Sequence, residues 1–140
     1  MVASRHRDRQ IWRRRPQLSH TAAATPVRDA EGYDLKPNPL TAGTPGELVA
    51  ALREYRAWAG SPPFREMAAA ARGQVAYTTI WSALKGDELP KLRVVMAIIQ
   101  GCGGSQEDLR AFATAHRRIN LGRLGLAAVP DLPILGAARG

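Results

Sequence analysis

Residues 61–86 read SPPFREMAAAARGQVAYTTIWSALKG. Phe64, Met67, Ala68 and Ala71 stand three and four apart, and Ile80, Ala83 and Leu84 repeat that spacing further on. Each set gives a helix one apolar stripe. Arg72, Gly73 and Gln74 interrupt the pattern with a glycine-bearing turn, and Lys85-Gly86 stops the second helix. Two short helices with small inner faces pack closely at a steep angle, the geometry of a helix-turn-helix. In such a unit the second helix, held across the first, projects its polar N-terminal half outward, where a major groove can receive it. The projecting half here is Ala76, Tyr77, Thr78, Trp81 and Ser82, with Thr79 and Ile80 expected to hold the helix to the core.

Outward from this unit, the flanking sequence supplies three more helices. Upstream, Thr44-Pro45-Gly46-Glu47 predicts a helix start, with Thr44 as cap, Pro45 at the first helical position and Glu47 completing a capping box. That helix runs to about Ala59, buries Leu48, Leu52 and Tyr55 under a Trp58 lid, and ends on Gly60. Arg53 and Arg56 point outward, for solubility and pairing with Glu54 or for phosphate. Ser61 is expected to cap the next helix, with Pro62 and Pro63 in its first turn, where a missing amide hydrogen costs little. Downstream, Leu89-Pro90 opens a helix whose inner face is Leu92, Val95, Met96, Ile99 and Cys102, apolar on a second side through Val94 and Ile98. After Gly103-Gly104, Ser105 with Asp108 caps a fifth helix from Gln106 to about Ile119 that buries Leu109, Phe112, Ala113 and His116. Its acidic first turn and Arg117-Arg118 in its last complement the helix dipole.

The segments FREMA, VAYTTIWSALKG and LPKLRVVMAIIQGCGG resemble the XRE family of lambda-repressor-like helix-turn-helix domains, most closely the version common in actinobacteria. The resemblance covers residues 44–119. It implies an all-α, compact five-helix domain and sequence-specific binding to double-stranded DNA, usually as a transcriptional regulator without enzymatic activity or cofactor. Carried over by position, Ala76, Tyr77, Thr78, Trp81 and Ser82 face the groove, with Gln74 before them. Arg65 and Arg72 are expected to clamp phosphates, and Lys85 and Lys91 flank the second helix on its far side. The sequence departs from the minimal pattern in two ways. Two extra residues between Ala68 and Val75 make the turn bulge outward, and Gln74 to Leu84 contains no Lys or Arg, although base readout leans on Arg or Lys for guanine.

The chain of 140 residues carries a formal charge of +8, with an isoelectric point near 10.8, an electrostatic bias toward a phosphate-bearing partner. Residues 1–43 contribute +4, residues 44–119 contribute +3 and residues 120–140 contribute +1. Half of the excess therefore sits in the segment before the predicted bundle. Residues 1–15 hold six arginines and one aspartate, with Ile11 and Trp12 as the large apolar side chains, too few to offset ordering entropy. We read 1–43 as a disordered basic arm and linker. The arm either neutralises phosphates, with Arg13, Arg14 and Arg15 entering a minor groove, or is a solvated tail. Residues 120–140 form an apolar tail, with Leu121, Leu124, Leu126, Val129, Leu132, Ile134 and Leu135 among glycines and prolines. It folds back, closes a homodimer or docks a protein partner.

One cysteine excludes an internal disulfide and a cysteine-cluster metal site. No window approaches the roughly 18 apolar residues of a membrane helix, and the basic start lacks the apolar core of a secretory signal. A cytoplasmic, nucleoid-associated protein is expected. No phosphate loop, serine elbow or histidine cluster is present, which argues against an enzyme. Two functions remain: a DNA-binding regulator, expected to pair as a dimer on a two-fold site, or a protein-interaction module on the same fold that docks another protein through its tail.

Overall fold

The computed structural model describes residues 23–126, which hold five α-helices, one short 3-10 turn and no strand. Helix α1 spans Pro45–Trp58. The Thr44 hydroxyl accepts the Glu47 amide at 3.1 Å, as the sequence predicts. The returning half of the capping box is displaced by one residue: Glu47 Oε1 accepts from the Gly43 amide at 2.7 Å. At the other end the Gly60 and Ser61 amides donate to the carbonyls of Ala57 and Arg56, a Schellman closure that needs positive φ at Gly60 (+102°).

That closure explains why α2 starts later than expected. Ser61 has φ +54° and serves the exit of α1. Pro62 precedes another proline, and a residue in that position is pushed out of helical conformation. Helix α2 therefore spans Phe64–Ala70, flanked by Pro63 and without a side-chain cap. Its C-terminus repeats the Schellman pattern, the Arg72 and Gly73 amides reaching the carbonyls of Ala69 and Ala68. Helix α3 spans Tyr77–Lys85, with Ala76 flanking it, and turns away at Gly86.

Helix α4, Leu92–Gly101, lies at the centre and touches all four other helices. Burial on nearly every side follows: Val94, Val95, Ala97, Ile98, Ile99 and Gly101 are enclosed, while Leu92 and Met96, expected on the inner face, are only half-buried. Gly101 is where α2 crosses α4. A Cβ there would lie 2.7 Å from the Met67 Cβ and carbonyl oxygen, so only glycine allows the helices to approach this closely. Helix α5 spans Gln106–Arg123 and starts with the predicted Ser105–Asp108 capping box. It runs four residues past the expected end, because the lone Gly122 costs only about 1 kcal/mol in a helix. Leu109 is half-buried, and the buried set adds Ala115 and Ile119 to Phe112, Ala113 and His116.

The segment read as linker packs against the bundle over residues 23–43, which we call the strap. Asn38 caps the 3-10 turn Pro39–Thr41, which lies against α5 and α1. Arg118 donates to the carbonyls of Leu40 and Ala42, both at 2.6 Å. Because α5 continues beyond it, Arg118 anchors the strap rather than complementing the end of the helix dipole. The Trp58 indole donates to Asp29 at 3.1 Å, and Lys36 Nζ donates to Asp108 at 2.8 Å. The expected arm, residues 1–15, the start of the expected linker, residues 16–22, and most of the expected tail, residues 127–140, lie outside the described residues.

Candidate nucleic-acid interface

Helix α3 is held by its inner side. Ile80 and Leu84 are buried, each worth about 2 kcal/mol of burial, and Val75 seats the approach to the helix. Thr79, expected to help, is exposed. With Ile80 and Leu84 setting the inner direction, a side chain one position before Ile80 is rotated about 100° off it. Residues 76, 77, 78, 81 and 82 are all exposed. Tyr77 is 38% exposed and Trp81 is 45% exposed.

Both rings carry a cation. The Arg65 guanidinium lies 4.5 Å from the centroid of Tyr77 and donates to its hydroxyl at 3.1 Å. Lys85 Nζ lies 4.3 Å from the centroid of Trp81. Such contacts contribute roughly 0.5–1 kcal/mol each at exposed sites, and they hold a long cation beside a flat apolar surface. Arg65, from α2, and Tyr77, from α3, are thus brought together, as are Lys85 and Trp81 one turn apart. Arg72 and Gln74 project from the α2–α3 turn, both exposed. They line one depression of about 420 Å³ with Ala23, Thr25, Gln100, Gly103 and Gly104. Lys91, exposed, flanks the start of α4. Among the described residues the salt bridge is Lys36–Asp108, so the charges of Arg65, Arg72, Lys85 and Lys91 are not neutralised by an ion pair there.

Two arginines expected to point outward instead hold other elements, Arg53 the end of α3 and Arg56 the start of α2. Arg53 donates to the Leu84 carbonyl at 2.8 Å, satisfying an end carbonyl of α3, and lies 3.4 Å from the Gly86 carbonyl. Arg56 donates to the Pro62 carbonyl at 3.0 Å and stacks on Phe64 at 4.2 Å. With Phe64, Trp81, Leu84 and Lys85 they line a cleft of about 210 Å³. Spacing along the sequence gives no sign of this role, since the Arg53 partner is 31 residues away.

A second group missed from sequence is centred on Asp108. Its Oδ2 accepts from the Tyr55 hydroxyl at 2.5 Å, and its Oδ1 from Lys36. Burial raises the Asp108 carboxyl, but hydrogen bonds from Lys36 and Tyr55, the Lys36 charge and the Ser105 amide together hold it below its ordinary range. Burial and the same carboxylate push the Tyr55 hydroxyl well up. The Asp29 carboxyl is held low, first by the Leu35 amide and then by the Trp58 indole.

Cys102 is buried, and burial pushes its thiol up to about 12 against the opposing charge of Arg56, so the thiolate is scarce at neutral pH. His116 Nε2 donates to the Pro90 carbonyl at 2.7 Å and is packed in the core. No group of His, Cys, Asp and Glu that could hold a metal ion occurs among the described residues. No described helix is long and apolar enough to cross a membrane.

Comparison with models of known protein families, with curated proteins and with solved structures finds no match to this chain.

Proposed function

We propose that the chain is a non-enzymatic transcriptional regulator of the lambda-repressor-like helix-turn-helix type, akin to the XRE family, which binds double-stranded DNA through α3. The observation that carries this reading is the outward face of α3. Tyr77, Thr78, Trp81 and Ser82 stand clear of the core, and the two rings lie beside Arg65 and Lys85. Arg65, Arg72, Lys85 and Lys91 neutralise backbone phosphates and fix the register of the protein on the duplex. Gln74, the hydroxyls of Thr78 and Ser82, and the edges of Tyr77 and Trp81 then meet the major groove, favouring thymine methyl contact and groove shape over guanine readout. Ala76 permits close approach at the start of the helix, where no side chain caps the first amides. A module of this size covers few base pairs, so it works as a homodimer on a two-fold site, in the cytoplasm and at the nucleoid.

A second reading is favoured by one observation. Leu124 and Leu126 are 61% and 68% exposed where α5 runs into the apolar tail, which suits docking of a protein partner.

Salt titration separates the two. Affinity for random and genomic duplexes is measured from low to moderate ionic strength. Phosphate neutralisation gives a log–log slope of about −0.9 per contact, so four contacts give roughly −3.6. A flat response, or no binding, overturns the regulator reading. In the Tyr77→Ala, Trp81→Ala double variant, affinity for a preferred site falls about tenfold or more while random-duplex affinity holds. Equal losses on both would count against groove reading.

A further inference from the structure

We propose that the cleft between α1, α2 and α3 is a binding site for a small aromatic carboxylate, a single ring bearing one acid group, and that its occupant competes with DNA for Trp81 and Lys85. The competition rests on the DNA-binding reading above; the site itself does not.

The cleft lies where the second half of α1, the first residue of α2 and the C-terminal half of α3 meet, and Arg53, Arg56, Phe64, Trp81, Leu84 and Lys85 line it. Arg53, Arg56 and Lys85 are cations, and no acid stands among the lining residues. The salt bridge among the described residues is Lys36–Asp108, so no carboxylate there neutralises them. Like charges gathered around one cavity repel one another, and a bound anion removes that cost. The arginines are also held in place. Arg53 is fixed by the Leu84 carbonyl at 2.8 Å. Arg56 donates through Nε to the Pro62 carbonyl at 3.0 Å, which leaves the two terminal nitrogens of its fork for a carboxylate. Donors already immobilised cost a ligand little further ordering entropy.

The rest of the lining selects the shape of the anion. Phe64 and Trp81 are flat rings, each with a cation beside it, Arg56 at 4.2 Å and Lys85 at 4.3 Å from the centroids, and buried Leu84 adds an apolar side. An aromatic ligand gains from offset or edge contact with such rings, and its carboxylate from the guanidinium fork. The volume of about 210 Å³ sets the size. A cavity of about 150 Å³ holds one benzene, so one ring with one carboxylate fits, whereas drug-sized ligands take about 300–1,000 Å³. Two larger depressions lack this combination: the one around Trp58 carries Asp29 and Asp34, and the one beside Arg72 is lined by no aromatic ring.

The experiment titrates the full chain with sodium benzoate against equal sodium chloride and follows the Trp81 indole by NMR, assigned with Trp81→Phe. Saturable shifts of that indole and of the Arg53 and Arg56 side-chain N–H signals are expected, with a Kd of about 1 mM or tighter, the scale open to so small a ligand. Benzamide keeps the ring without the charge, and cyclohexanecarboxylate keeps the charge without the flat ring. Each should bind about fivefold more weakly or worse. Arg56→Gln should weaken benzoate binding about tenfold. Lys85→Gln, at an exposed position, should weaken it about threefold, while Arg117→Gln, the same charge change at an exposed position of α5, should leave it unaltered. No saturation, equal binding of either analogue, or an equal loss in Arg117→Gln overturns the site and leaves the reading of α3 standing. Saturating benzoate should lower duplex affinity about fivefold in the unaltered chain and far less in Arg56→Gln. Unchanged duplex affinity overturns the competition. A chain that binds benzoate but no duplex keeps the site and loses both the competition and the DNA-binding reading.

Discussion

Arg72 occupies a position that favours glycine. It closes α2 with φ +60°, a left-handed conformation costing an L side chain roughly 1–2 kcal/mol, while Gly73 (φ +67°) follows it. Arg72→Gly should relieve part of that cost, raising the urea midpoint by the equivalent of about 0.5–1 kcal/mol at constant m-value. The same change should shallow the salt dependence of DNA binding by about 0.9. A stability gain without the binding change would remove Arg72 from the proposed phosphate contacts. Asp108 works in the other direction. Its carboxyl is held below the unfolded value of 3.8, so its stabilisation is fully present above that value and lost as pH falls through the lowered folded one. Asp108→Ala should cost about 2 kcal/mol at pH 7, leaving the Tyr55 hydroxyl and Lys36 without their acceptor. The gap between the two proteins should close as pH drops below 3.8 in denaturant titrations. A gap independent of pH would assign the loss to packing rather than charge.

The central crossing is an element-scale feature that the sequence hides. Gly101 reads as an ordinary helix end, yet it lets α2 lie against α4 at Met67. Gly101→Ala should destabilise by about 1–3 kcal/mol, because the Met67 backbone cannot move aside as a side-chain tip would. Wild-type stability in thermal unfolding would show that the crossing has slack. The apolar stripes of α2 and α3, the Thr44 and Ser105 caps and the core set around Phe112 were legible because each depends on spacing within a few residues. The late start of α2 was not, since it depends on how α1 ends. Of the expected site, the exposure of Tyr77, Trp81 and their neighbours was legible from the inner stripe of Ile80 and Leu84. The stacking of Arg65 on Tyr77, 12 residues away, required the fold, as did the grip of Arg53 on the end of α3.

At the scale of the molecule, the strap is tied to the bundle through Arg118, Asp108 and Trp58. Sequence composition marked residues 16–43 as a linker because prolines and mixed polar residues show no period. Partners such as Asp108, 72 residues from Lys36, leave no local pattern. In the proposed function, α3 meets DNA with its Tyr77–Trp81 face. The most direct measurement is amide and indole chemical-shift mapping of the full chain as a duplex is added. The account predicts shifts and broadening concentrated on Tyr77, Thr78, the Trp81 indole, Ser82 and the turn at Arg72–Gln74, with α5 little changed. Shifts gathered instead around Leu124 and Leu126, with the Trp81 indole unmoved, would contradict it.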